Sequence, residues 1–169
     1  MQEEIKILQK AIGMEEFGYY YYNKLERAVE NNQGKALLSY LANAEKEHRE
    51  TLEKILVEAG GVPEKTPWDN LVSNIIMNPG IERVFKELTE KEKLSQVDAV
   101  EAVKLGIDVE KKSIEFYSQN AKSVVKENMA KLFSELVDIE QKHLEILEEN
   151  LRNLSNEGVW YGYVPILEG

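Results

Sequence analysis

Apolar residues recur at spacings of three and four over two long stretches of the chain. The first stripe, from Gln2 to about Asn31, runs through Ile5, Leu8, Ala11, Ile12, Tyr19, Tyr22, Leu25 and Val29. That spacing is the buried face of an amphipathic helix. Asn31-Asn32-Gln33-Gly34 reads as a turn. A second helix is predicted from about Lys35 to Ala59, carrying Leu37, Leu38, Leu41, Leu52, Ile55 and Leu56 and closed by Gly60-Gly61. The texture then changes to Val62-Pro63, Thr66-Pro67-Trp68 and Asn78-Pro79-Gly80. A short helix from Pro79 to about Lys91, capped by Asn78, fits there. Ser95 with Asp98 three residues on resembles a capping box and opens a third long helix to about Lys126. The fourth runs from about Asn128 to Ser155, and the tail around Trp160, Tyr161 and Tyr163 has no period.

Two tight hairpins of long helices, joined by about 35 residues, predict an all-α protein: an antiparallel four-helix bundle with a long crossover between helices 2 and 3. The bundle would occupy residues 1–155, as two pseudo-repeats of about 2–59 and 96–155 around a crossover at 60–95. Residues 156–169 form an aromatic tail. Trp68, Phe85 and Trp160 are expected to cover the bundle. Composition narrows the function. Thirty-one acidic against 21 basic residues, a net charge of −10, oppose nucleic-acid binding, which needs clustered Lys and Arg. With no cysteine there is no disulfide, zinc ribbon or thiol nucleophile. No apolar run approaches the roughly 20 residues of a membrane span, and the start, Met1-Gln2-Glu3-Glu4-Ile5, is acidic where a signal peptide would be basic. A cytoplasmic protein is expected.

The chain repeats itself at an offset of 95 residues. Leu37 falls on Leu132, Leu41 on Leu136, Leu52 on Leu147 and Leu56 on Leu151, as any repeated hairpin core would show. Polar residues repeat too: Glu15 falls on Glu110, Glu45 on Glu140, His48 on His143 and Tyr22 on Tyr117. Core packing does not explain those, because carboxylates are rarely buried without a partner or a metal.

Glu45 and His48 are three apart on one helix and share a face within one turn, and so do Glu140 and His143. Glu15 and Glu110 supply one carboxylate from each remaining helix. One Glu from each of two helices and Glu-x-x-His from each of the other two is the carboxylate-bridged di-metal arrangement of bundle cores. Four carboxylates and two neutral imidazoles balance two divalent cations. An isolated Glu-x-x-His is usually a solvated surface pair, and Glu is about one residue in six here. Yet the chain has only two histidines; both follow a Glu by three, and both have another Glu 33 residues before them. Glu16, Glu47, Glu50, Glu115 and Glu145 are better read as solvated or surface-paired.

Tyr22 and Tyr117 lie seven residues after Glu15 and Glu110, on the same faces. They are either donors to the ligand carboxylates or ordinary buried tyrosines. Gly18 and Ser113, three after the same glutamates, are small enough to leave room for water or a small oxidant. Tyr19, Tyr20 and Tyr21 read as packing residues.

These residues resemble the rubrerythrin family of the ferritin-like superfamily. The similarity rests on Ala11-Ile12-Gly13-Met14-Glu15-Glu16-Phe17-Gly18-Tyr19 with Tyr22, on Glu45-Lys46-Glu47-His48, on Gly106-Ile107-Asp108-Val109-Glu110 with Phe116-Tyr117, and on Glu140-Gln141-Lys142-His143. It spans about residues 2–152. The resemblance implies two iron ions held by Glu15, Glu45, His48, Glu110, Glu140 and His143, reacting with peroxide or dioxygen, commonly to reduce peroxide, in a bundle that forms a homodimer. Two departures stand out. Rubrerythrins typically carry a four-cysteine rubredoxin domain that supplies electrons; a chain without cysteine needs an electron-donor protein in trans. The family also tends to place a further Glu ligand where Ser113 stands, so the redox-linked iron shift tied to that Glu is not expected and the site should be more symmetric. The rivals to a peroxide-reducing enzyme are an iron-binding or ferroxidase protein, and a bundle holding Zn or Mn, since carboxylate-rich sites do not select iron by affinity.

Overall fold

The computed structural model describes residues 2–63 and 96–161. Among these residues the chain forms four helices and no strand: α1 (Gln2–Ala28), α2 (Asn32–Glu58), α3 (Gln96–Ser123) and α4 (Glu127–Glu157). The all-α class follows. The short helix expected after Pro79, the Ser95 capping box, Trp68 and Phe85 lie outside the described residues.

Helix ends differ from the sequence reading by a few residues, for local reasons. α2 starts three residues early because Asn31 is its cap: the Asn31 side chain accepts from the Gln33 and Gly34 amides at 2.9 and 3.0 Å. An asparagine that reads as a turn former is the same residue that satisfies free N–H groups at a helix start. α2 ends as Gly60 takes a φ of 82°, and α4 ends at Gly158, with φ 70° and its amide bonded to the Leu154 carbonyl at 3.2 Å. Both glycines occupy the left-handed region that closes helices.

Two apolar clusters fix the topology. One gathers the C-terminal half of α1 (Phe17, Tyr21, Leu25), the N-terminal halves of α2 (Leu37, Leu38, Leu41) and α3 (Val103, Ile107), and the C-terminal half of α4 (Leu147, Leu154). The other joins the start of α1 (Leu8, Ile12), the end of α2 (Leu52, Leu56), Tyr117 late on α3 and the start of α4 (Met129, Phe133, Leu136). Therefore α1 and α4 run one way and α2 and α3 the other. Each hairpin is antiparallel, and the end of α2 and the start of α3 lie at opposite ends of the bundle. Packing is close within each hairpin and sparser between α1 and α3. Between the two clusters lies a polar layer. No described helix is long and apolar enough to cross a membrane.

Residues 158–161, just after α4, lie back against the bundle. The Tyr161 amide donates to buried Asn150 Oδ1 at 3.1 Å, and Trp160 is buried in the first cluster, covering the bundle as expected. Its indole lies against Gly34, where a Cβ would sit 2.7 Å from a ring carbon. A rigid ring cannot yield as a flexible chain end would, so Gly34→Ala should displace Trp160 and cost about 1–3 kcal/mol. Thermal melts together with a red-shifted Trp160 emission, read in a Trp68→Phe background, check this; unchanged emission would show that the ring does not depend on that gap.

Candidate metal centre

The polar layer consists of the six residues that repeat at the 95-residue offset. Glu15 from α1, Glu45 and His48 from α2, Glu110 from α3, and Glu140 and His143 from α4 are all buried. The helical repeat brings each Glu-x-x-His pair onto the inward face, and the two apolar clusters hold the four helices at the spacing that makes these side chains meet.

They form two overlapping groups. Glu15, Glu45, His48 and Glu140 each offer an atom within 4.8 Å of the others, and so do Glu45, Glu110, Glu140 and His143. Glu45 and Glu140 belong to both groups, so each could serve either of two cation positions. His48 Nδ1 stands 3.2 Å from Glu15 Oε2 and 3.2 Å from Glu140 Oε1. His143 Nδ1 stands 2.8 Å from Glu140 Oε2, 3.5 Å from Glu45 Oε1 and 4.0 Å from Glu110 Oε2. Both imidazoles thus aim Nδ1 at the carboxylates, and their rings stack at 5.9 Å.

The residues fit a pair of cations. Glu45 Oε1, Glu140 Oε1 and His143 Nε2 are buried with no well-formed hydrogen bond, an arrangement that is costly without a further partner. Two of these three atoms belong to the shared carboxylates Glu45 and Glu140, and a cation would give them a partner. Oxygen and imidazole donors without thiolate suit divalent iron, manganese or zinc.

Tyr22 and Tyr117 are donors to these carboxylates, and each crosses to the opposite hairpin: the Tyr22 hydroxyl donates to Glu110 Oε1, and that of Tyr117 to Glu15 Oε1. Seven residues along one helix is two turns, too far for a tyrosine to reach its own glutamate. The antiparallel partner helix brings the other repeat's glutamate within reach. Burial and the adjacent carboxylate charges push both phenols well above the ordinary tyrosine range.

Three details depart from the sequence reading. Gly18 leaves no room for water: a Cβ there would lie 2.9 Å from Glu45 Oε2, so Glu45 occupies that space. Glu16 is buried rather than solvated, because residues 11–18 of α1 are buried on every side. Tyr40, which the repeat does not flag because its counterpart is Glu135, sets its ring edge-on to His143 at 5.9 Å. Glu47, Glu50, Glu115 and Glu145 are exposed, and Ser113 is buried one turn beyond Glu110.

Fold and site together define a ferritin-like helical bundle with paired Glu and Glu-x-x-His half-sites. A sequence model of the rubrerythrin family matches residues 6–151, and the chain belongs to that family. Its fold is similar to that of a dodecameric thioferritin, the bacterioferritin-related protein from Bacteroides fragilis. That similarity has a TM-score of 0.71 at 16% identity, over 93% of this chain and 89% of that one. No match is found among curated proteins.

Without metal, the carboxylates cannot all be ionised. Burial, and then the charges of Glu140 and its neighbours, push Glu45 and Glu110 well above the usual carboxylate range. Burial opposes ionisation of Glu140 as well, but contacts from His143 and His48 prevail and hold it at about 2. Burial likewise disfavours the charged His48 ring, yet bonds from Glu140 and Glu15 raise it to about 10.

The signs give a pH dependence. Protons held by folded Glu45 and Glu110 above the ordinary 4.5 make stability fall as pH rises from there. The His48 contribution is complete below 6.5 and is lost as pH climbs toward about 10. The Glu140 contribution is lost only as pH falls from 4.5 toward about 2. Between pH 5 and 8 the metal-free protein should therefore lose stability, by about 1.4 kcal/mol per pH unit for each proton retained on folding. Metal displaces those protons, so the loaded protein should show no such decline. Thermal melts of both forms across this window make the comparison; parallel curves would contradict it.

Proposed function

We propose that the chain is a non-haem di-iron protein of rubrerythrin type that reduces hydrogen peroxide. The observation that carries the reading is the pair of overlapping four-residue groups sharing Glu45 and Glu140, enclosed between two apolar clusters. Glu15 and His48 would complete one metal position, Glu110 and His143 the other, with the shared carboxylates between them. Two ferrous ions would supply the two electrons that cleave the O–O bond and would stabilise the oxide charge that develops.

The chain's own residues set the conditions. The apolar clusters exclude bulk water and lower the local dielectric, which strengthens every interaction in the layer. Tyr22 and Tyr117 fix the rotamers of Glu110 and Glu15, so that these carboxylates are oriented before anything binds. Reduction of one peroxide to two waters consumes two electrons and two protons. The electrons would come from an electron-donor protein in trans. A cytoplasmic homodimer completes this reading.

The likeness to a protein named a thioferritin is consistent with a second reading, an iron-binding or ferroxidase protein without peroxide turnover. Stopped-flow mixing of anaerobically iron-loaded protein with each oxidant separates the two. Faster oxidation by peroxide supports the first; an equal or faster reaction with dioxygen supports the second.

Sharing of Glu45 and Glu140 also predicts unequal mutants. Fully loaded wild type should hold two ions per chain. Glu15→Ala should retain about one ion, whereas Glu45→Ala and Glu140→Ala, which weaken both positions, should hold one or fewer. Loading should raise the melting temperature of wild type, by the equivalent of about 2.7 kcal/mol at a hundredfold excess over Kd. Metal analysis after desalting, with melts in parallel, checks both. One ion or fewer in wild type would sink the assignment.

A further inference from the structure

The two halves of the centre differ in how they meet solvent. His143 is fully buried, whereas the His48 side chain is 10% exposed, more than that of any other of the six residues. A break of the repeat accompanies this difference. Tyr40 on α2 lays its ring edge-on against His143 of α4. α2 and α4 are antiparallel, so moving eight residues along α2 from Tyr40 to His48 corresponds to moving eight back along α4, from His143 to position 135. The residue that stands toward His48 as Tyr40 stands toward His143 is therefore Glu135.

Glu135 provides no ring to cover an imidazole. Its carboxylate turns outward to Lys131 Nζ at 3.7 Å, with both side chains more than half exposed. Such a surface pair contributes little and exchanges readily. Position 135 therefore carries a surface carboxylate where its counterpart in the other half carries a ring. On the other side, the half-buried Tyr40 ring blocks the equivalent path.

We propose that metal ions enter and leave the centre beside His48, past Glu135, while Tyr40 closes the symmetry-related path at His143. The inference rests on the metal-binding reading of the six residues, and it concerns the rate of exchange rather than the final occupancy.

The test is release of ferrous iron from the anaerobically loaded full-length chain into excess bipyridine, with equilibrium metal content measured beside it. Glu135→Tyr copies the Tyr40 side and should slow release about tenfold while two ions per chain are retained. Tyr40→Glu opens the second path and should speed release about tenfold. The double exchange, Tyr40→Glu with Glu135→Tyr, moves the port to His143 and should bring the rate back to within about threefold of wild type. Position 135 is exposed, so Glu135→Tyr decides the matter even if Tyr40→Glu fails to fold. Wild-type release rates in a Glu135→Tyr protein that still holds two ions would overturn the port. A wild-type protein that takes up no iron would instead overturn the metal-binding reading on which it rests.

Discussion

Four carboxylates face one another inside a helical bundle, and the rest of the structure answers to that fact. Ionised groups brought this close in a dry interior repel one another and have lost their water, so the arrangement persists only with counter-charge. The protein provides part of it itself: His48 and His143 hold Glu140 in its charged form, and two tyrosine hydroxyls serve Glu15 and Glu110. Glu45 receives least. Its Oε1 makes no hydrogen bond, and Gly18 exists as a glycine to give its side chain space. The shortfall at Glu45 is what a cation would remedy.

The apolar clusters are organised around the same constraint. A single continuous core would have left no place for a charged layer. Division of the buried leucines and aromatics into one group on either side of the polar layer confines the cost of burying charge to about one turn of each helix. It also holds the helices so that a one-turn Glu-x-x-His spacing on α2 and α4 meets its counterparts across the bundle.

Much of this is legible in the sequence, because two periods coincide there. The three-and-four spacing gives the helices, and the 95-residue offset gives the six polar residues, whose repetition packing alone does not require. What stays hidden depends on neighbours in space. Asn31 reads equally as turn or cap until its side chain is seen on the Gln33 and Gly34 amides. The gap at Gly18 is filled by a residue 27 positions away. Tyr22 and Tyr117 sit correctly on their faces, but that each serves the opposite repeat's glutamate follows from helix direction, which periodicity does not contain. Tyr40 escapes because symmetry reveals only what is repeated.

The sharing of Glu45 and Glu140 has a mechanical meaning. Each group of four takes three residues from one hairpin and a single carboxylate from the other. The two tyrosine bonds span the same seam. Direct packing is closest within the hairpins, so this layer adds to the two apolar clusters that join the halves. In a chain with no cysteine, a cation pair would act as a reversible cross-link, clamping together two hairpins that hydrophobic contact alone holds less firmly, and loosening that seam whenever it departs.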